Sequence, residues 1–332
     1  PASRCNMGDS YGKAPMRPKD IKEWLVGPLT AMATPFTEDY ELDLDALRTH
    51  IRFLVDHGMR LGDGALLVAA GAGEDTVMSV QERKTVMDVA VEAAGGEVPV
   101  LAGINHPDIR EIADLAQHAE KAGIAAVQLA PVYHYETAEG DIYRVYERIS
   151  QVSEAPIMVY HTWWTGGHFS ESLLQDLKGL PTVRAIKWSS SDEVLYKKGI
   201  VALRDALAIC DNQGNQILNH MLGGRSFVTH VGNFWPEYVV GIWRLLQQED
   251  YPGVLEKQSR LDWQWDDWEA KVTQETGGHG SYLKAAMEAV GLRAGPPRPH
   301  HGFRNGAAAH RAVAQPVRGA GGHPEHRLPR GR

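Results

Sequence analysis

Cysteine is nearly absent: Cys5 and Cys210 are the only two in 332 residues. One lies in a polar leader and the other in an apolar run, so a disulfide framework is not expected and a reducing cytoplasm fits. No apolar run reaches the length that spans a bilayer. Residues 1–19 carry no apolar core of a secretion signal, and Met7 is a candidate start. Basic charge is also scarce. Lys and Arg number 34 against 42 Asp and Glu, a net of −8, which gives no electrostatic reason to expect nucleic acid or an anionic membrane as partner. The shortage is uneven. Residues 292–332 hold eight Arg, no Lys and one acid, Glu325, which leaves 26 basic and 41 acidic residues in 1–291. The tail histidines, His300, His301, His310, His323 and His326, have no Cys or carboxylates at ligand spacing, so no metal site is expected.

What is present is a cycle of strand and helix signals. Continuous apolar runs at 27–36, 64–71, 98–104, 125–132, 156–161, 183–190, 207–212 and 226–233 read as strands. Helical periodicity fills the gaps, with an N-cap at Asp43 and a capping box at Ser79 and Glu82. Strands that are apolar throughout indicate a parallel sheet covered on both faces. Eight such units in series predict an α/β fold, a (β/α)8 TIM barrel, with a doubly wound open sheet as the competing arrangement. Helical patterns near 236–248, 255–272 and 280–290 lie beyond the eighth strand and must pack on the outside. The expected organisation is a polar leader over 1–20, a barrel over 21–234, C-terminal helices over 235–292, and a disordered basic tail over 293–332.

The stretch Val183–Ser190 carries the chemistry. Val183, Ala185 and Ile186 suit a buried strand, and Lys187 stands near its C-terminal end. Burying an ammonium is costly. Burial disfavours the charged form, and a neutral amine is the nucleophile that forms a Schiff base with a ketone. The plain alternative is a lysine that extends its head to solvent. Barrel chemistry sits at strand C-termini, and the other strand ends supply a polar ring. Tyr160 ends strand five, either as a proton shuttle beside the lysine or as a core aromatic. His161 reads as an acid–base group or a hydrogen-bonded structural histidine. Trp163 and Trp164 could wall a pocket or pack a loop. Ser189, Asn212 and Asn233 complete the ring as candidate substrate contacts. The loop Gly71–Ala72–Gly73 does not fit a dinucleotide fingerprint, but its backbone N–H groups could hold a carboxylate.

Several stretches together resemble the dihydrodipicolinate synthase / N-acetylneuraminate lyase superfamily over about residues 27–295. They are Thr34-Pro35-Phe36, Gly73-Glu74 with Ser79 and Glu82, Val132-Tyr133, the Tyr160 strand end, Ile186-Lys187, Gly223-Gly224 and Asn233. The resemblance implies a Schiff-base lysine at Lys187, a catalytic tyrosine at Tyr160, and a second tyrosine, Tyr133, that reaches a neighbouring subunit's site in a homotetramer built as a dimer of dimers. It implies a lyase acting on a 2-oxo acid through a covalent imine, with no separate cofactor. Hydratase-aldolase or sugar-acid dehydratase chemistry is the variant reading, and a ligand-binding barrel without turnover is the reading from another class. Two departures stand out. The usual Gly-Thr-Thr-Gly-Glu is Ala70-Gly71-Ala72-Gly73-Glu74, without either hydroxyl. Tyr-Asn-x-Pro becomes Tyr160-His161-Thr162-Trp163, with Thr165 where dihydrodipicolinate synthases have an arginine for a second carboxylate. Dihydrodipicolinate synthesis itself is therefore not expected.

Overall fold

The computed structural model describes residues 20–131, 137–161, 163, 169–276 and 279–299. Eight short strands close a parallel barrel in sequence order. They are β1 (Gly27–Ala31), β2 (Ala65–Val68), β3 (Val100–Gly103), β4 (Ala126–Leu129), β5 (Ile157–Tyr160), β6 (Val183–Trp188), β7 (Ala208–Asp211) and β8 (Ser226–Thr229). β8 returns to β1 in register from Gly27↔Ser226 to Thr30↔Thr229. Strand residues are mostly apolar on both faces because helices cover the outside and side chains fill the inside.

A short helix, α1 (Ile21–Trp24), precedes the barrel and packs against β6. The connecting helices are α2 (Leu44–Asp56), α3 (Val80–Ala94), α4 (Ile109–Ala122), α5 (Glu139–Val152), α6 (Glu171–Gly179), α7 (Glu193–Leu203) and α8 (Gln216–Met221). Their starts are chemically marked. Asp43, Asp108, Ser170 and Asp192 each accept a backbone N–H at an N-cap. Ser79 and Glu82 form the reciprocal capping box. In α4 the buried residues Ile112, Leu115, Ala116 and Ala119 recur at helical spacing, which fixes the face turned to the sheet.

β1 stops at Ala31, short of the expected Phe36. Beyond it Ala33 N donates to the Asn233 side chain rather than to a strand, and Pro35 has no N–H to continue a ladder. Phe36 instead makes an antiparallel bridge to Leu42.

After the barrel come α9 (Pro236–Gln247), α10 (Tyr251–Thr276) and α11 (His279–Ala289). Trp243 of α9 is fully buried against Gly27, where a Cβ would lie 2.9 Å from the indole, and its Nε1 donates to Gly62 O at 3.0 Å. Trp265 and Trp268 of α10 pack edge-on to Tyr282 of α11, while Trp263 faces solvent. Among the described residues no helix is long and apolar enough to cross a membrane.

The tail boundary expected at residue 292 falls too early. Leu292 and Ala294 are buried, Phe36 N donates to Ala294 O at 3.1 Å, and Arg293 pairs with Asp43. The segment through Arg298 is folded across the loops that follow β1 and β2, because its backbone and its arginines find partners there. The rest of the basic tail, from residue 300, lies outside the described residues.

Candidate active site

Strand alternation decides which side chains enter the barrel. At the end of β6, Trp188 Nε1 donates to Tyr196 O on α7 at 3.1 Å. At the end of β7, Asp211 accepts from the Tyr196 hydroxyl at 2.6 Å. Both residues therefore face the helix layer. Their neighbours Lys187 and Cys210, partners in register, face the lumen. Gly199 on α7 makes room for the outward indole, since a Cβ there would lie 2.3 Å from Trp188 Cζ2. Gly199→Ala would displace Trp188 and, with it, the strand end that carries the lysine.

Lys187 is 6% exposed, and its register partner on β5 is Tyr160. Its Nζ lies 4.2 Å from the centre of the Tyr160 ring. Among the described residues Nζ makes no ion pair or hydrogen bond. Among the described residues the lumen offers no counter-charge beside it. Burial pushes the Cys210 thiol up to about 12, so at neutral pH it stays protonated. Ser226, next in register, donates to Gly27 O at 3.0 Å. Gln128 of β4 is in register with Met158, one layer beneath Tyr160, and is buried with its amide oxygen unpaired among the described residues. A buried amine held by an aromatic face alone can attack an electrophile that enters from the C-terminal end.

The remaining expected residues fall into three groups. His161, next to Tyr160 on the strand, points the other way. It stacks on Trp188 with centroids 4.5 Å apart, its Nδ1 lies 2.8 Å from Ser189 O, and its Nε2 accepts from Phe169 N at 3.3 Å. Those partners suit the neutral Nδ1–H tautomer and favour the structural histidine, of the two readings the sequence leaves open, over an acid–base group or substrate contact. Ser189 joins the same tie through Oγ to His161 O at 3.1 Å. Asn233 is corrected. Its amide accepts from Ala33 N at 3.1 Å and donates to Ala31 O at 2.8 Å and His230 O at 3.0 Å, which staples the end of β1 to the turn after β8. None of its polar atoms is left for a ligand.

The second group reaches the barrel mouth. Gly71–Gly73 forms a one-turn 3₁₀ helix after β2. The N–H groups of Gly73, Glu74 and Asp75 are bonded within the turn, whereas those of Gly71 and Ala72 have no partner among the described residues. Gly73 must be glycine, because a Cβ would come 2.9 Å from Met32 O and 3.0 Å from Thr34 Oγ1. Asn212 follows Cys210 by two residues and so shares its face, and its Nδ2 is buried and unpaired among the described residues. Trp163 is 44% exposed on the loop after β5. The third group, Tyr133, Trp164 and Thr165, lies outside the described residues.

Three residues that the sequence reading left without a role brace the Gly71–Gly73 turn. Glu74 is fully buried in left-handed backbone, with φ at 62°. Lys284 of α11 meets its Oε1 at 2.7 Å, and Arg298 N donates to its Oε2 at 2.8 Å. Burial lowers Lys284 to about 8, against the raising effect of Glu74. The available signal was a lysine inside the apolar run Tyr282-Leu283-Lys284-Ala285-Ala286. A cavity of about 280 Å³ lies beside the barrel, lined by Asn212, His230, Gln258, Trp263, Asp266 and Glu269 among others. No cluster of His, Cys, Asp and Glu that could hold a metal occurs among the described residues.

A closed parallel barrel with a buried lysine at the end of its sixth strand defines a class of protein, the (β/α)8 lyases of the class I aldolase type. Residues 25–303 match the Dihydrodipicolinate synthetase family, and the chain belongs to that family. Its members are lyases, so the protein is an enzyme. An uncharacterized DapA-like lyase of Halobacterium salinarum is 27% identical over 82% of this chain and 87% of its own length. A 4-hydroxy-tetrahydrodipicolinate synthase of Exiguobacterium sibiricum is 27% identical over 82% of this chain and 90% of its own. The N-acetylneuraminate lyase of Rhizobium meliloti is 27% identical over 66% of this chain and 72% of its own. Among solved structures, N-acetylneuraminate lyase from Mycoplasma synoviae superposes with a TM-score of 0.77 at 20% identity, covering 89% of this chain and 97% of that one. A catalytic-lysine mutant of the Ruminococcus gnavus sialic acid aldolase gives 0.77 at 17%, covering 91% and 99%.

Proposed function

We propose that the enzyme is a Schiff-base-forming lyase that cleaves or condenses a 2-oxo acid, with Lys187 as nucleophile. The observation that carries this reading is Lys187 itself, 6% exposed, aimed into the lumen, with the Tyr160 ring, among the described residues, the sole group against its Nζ. The amine adds to the ketone carbon, and a proton goes to the oxygen to give a carbinolamine. Loss of water leaves the imine. A base takes the proton of the C4 hydroxyl, the imine draws in the electron pair of the C3–C4 bond, an aldehyde leaves, and the enamine takes a proton at C3. Hydrolysis then restores the amine and the 2-oxo acid. Tyr160 moves the protons in the carbinolamine steps, since its ring lies against the nitrogen. The Gly71 and Ala72 amides hold the carboxylate in place of the side-chain hydroxyls this chain lacks. Assembly as a tetramer, with Tyr133 reaching a neighbour's site, belongs to the same reading, as does a cytoplasmic location.

The same reading excludes 4-hydroxy-tetrahydrodipicolinate synthesis, because Thr165 stands where an arginine would bind a second carboxylate. The partner aldehyde is less anionic, with Trp163 at the entrance. Borohydride trapping tests the mechanism. Incubation with pyruvate and reductant should add the mass of the reduced imine, and Lys187→Ala should abolish the adduct. An unchanged mass across a panel of 2-oxo acids would sink the proposal. Formation of 4-hydroxy-tetrahydrodipicolinate at the rate of the relatives so named would overturn the exclusion.

A further inference from the structure

The turn at Gly71–Gly73 ends in a conformation that an L-residue rarely adopts. Glu74 has φ 62° and ψ 39°, and Ala69, before the turn, has φ 47°. Non-glycine residues hold such backbone only where surroundings impose it. Here the surroundings come from the far end of the chain. The Glu74 carboxylate sits under α11, where a Cβ at Gly280 would come 2.9 Å from Oε1. Lys284 Nζ, 2.7 Å from that oxygen, also donates to Pro296 O at 3.0 Å and lies 4.2 Å from the centre of the Phe36 ring. Arg298 closes the arrangement from the other side. Its backbone N–H bonds Glu74, and its guanidinium lies 4.3 Å from the Phe36 ring centre. That guanidinium also donates to Tyr40 O at 2.9 and 2.6 Å and to Val77 O at 2.9 Å, and it pairs with Glu82 of the α3 capping box. Gly295, at φ 65°, lets this segment lie on Phe36, where a Cβ would fall 1.8 Å from Phe36 O.

These contacts land on the turn, on the loops after β1 and β2, and on the first turn of α3. Glu74 N bonds back to Gly71 O at 3.0 Å, so fixing Glu74 fixes the direction of the two amides left open, those of Gly71 and Ala72. Elsewhere in such a turn a hydroxyl side chain can grip a carboxylate through its own rotamers. With glycine and alanine at 71 and 72, only backbone aim remains.

We propose that Lys284 and Arg298 are positioning residues for substrate: through Glu74 they set the Gly71–Ala72 amides, and the C-terminal segment 292–298 is thereby part of carboxylate recognition. This rests on the Lys187 reading for the identity of the substrate. It assigns neither residue contact with the reacting atoms.

The experiment compares two carbonyl compounds on the full chain. Pyruvate carries a carboxylate, and hydroxyacetone does not. Borohydride trapping of each on Lys187 is followed by mass spectrometry against concentration, for wild type, Arg298→Ala and Lys284→Met. Arg298→Ala keeps the backbone N–H that bonds Glu74 but releases its segment from Tyr40, Val77 and Glu82; the pyruvate concentration for half-maximal trapping should rise by roughly ten-fold, the scale of one charge-assisted hydrogen bond misaimed. Hydroxyacetone trapping should stay within about two-fold, because the misaimed amides make no hydrogen bond to a neutral ketone. Lys284→Met should show the same split. If that variant does not fold, Glu74→Gln/Lys284→Met, which removes both buried charges, takes its place. Equal loss with both compounds, or no change with pyruvate, overturns the inference. If wild type traps neither, the Lys187 reading falls and takes this proposal with it, a result distinct from selective failure in the variants.

Discussion

Two lysines are buried among the described residues, and they lie at different edges of the same barrel mouth. Lys187 and Lys284 are 6% and 2% exposed, and each Nζ lies 4.2 Å from the centre of an aromatic ring. They differ in everything else around the nitrogen. Lys284 has a carboxylate at 2.7 Å and a carbonyl at 3.0 Å. Lys187 has neither among the described residues. Burial and an aromatic face therefore do not mark a nucleophile. An amine with its charge matched and its hydrogens bonded is a structural tie, whereas one left with an aromatic face is available to react. The sharpest way to break this contrast is to exchange the two losses. Lys187→Ala should lose imine trapping and turnover completely while thermal unfolding barely moves. Persistence of the adduct would move the nucleophile elsewhere.

The second test stays on the reactive side. Tyr160→Phe keeps the ring against Nζ and removes only the hydroxyl. Turnover should fall by roughly 10²–10⁴, the usual range for a positioned acid–base group, with the adduct still formed on prolonged incubation. A wild-type rate would make Tyr160 an aromatic support and no more. The third test stays on the structural side. Lys284→Met leaves the Glu74 carboxylate buried without its cation and should cost about 3–5 kcal/mol of unfolding free energy, read by urea titration. Glu74→Gln/Lys284→Met should recover much of it. A double variant no more stable than the single one would show that the pair is not coupled.

The sequence exposed one of these lysines and hid the other. Lys187 was legible because it ends an apolar run in a series of eight, and its role follows from where strand ends lie in a barrel. The fold was legible for the same reason, since continuous runs between capped helices leave few arrangements. Lys284 was hidden because its partners are at 74 and 296, brought together only when α11 and the chain end cross the β2 loop. Pattern reading treated residues past 292 as tail, and no local rule says that Arg298 will find Glu82 and Tyr40. For His161 the sequence holds the means to choose between its two readings: it neighbours Tyr160 on a strand, so period-two alternation sends it to the opposite face. For Asn233 it holds none. Its staple depends on a one-turn helix at Val231–Asn233 that places the amide against β1.

A third buried base extends the comparison, because it meets burial by giving up its charge. His50 of α2 is fully buried with Nε2 2.9 Å from Asn233 O and no partner for Nδ1 among the described residues. Burial lowers it to about 4, against a smaller raising effect of that carbonyl. An unfolded histidine titrates near 6.5. Between those values the unfolded chain binds a proton that the native one refuses, so stability is lost as pH falls from about 6.5 to about 4. The size is about 3 kcal/mol, from roughly 1.4 kcal/mol for each unit between the two values. Asp211 works in the opposite sense. Burial raises it to about 6, with the Tyr196 hydrogen bond opposing. The native state therefore binds its proton first, and stability is gained as pH falls from about 6 to its unfolded value near 3.8. In the wild-type chain the two nearly cancel over that window. Asp211→Asn should expose the histidine, with unfolding free energy falling more steeply than wild type from pH 6.5 to 4. His50→Gln should expose the aspartate and reverse the sign of the difference. Urea titrations at four or five pH values would decide it. Parallel slopes for the three proteins would mean that neither group titrates in its buried place.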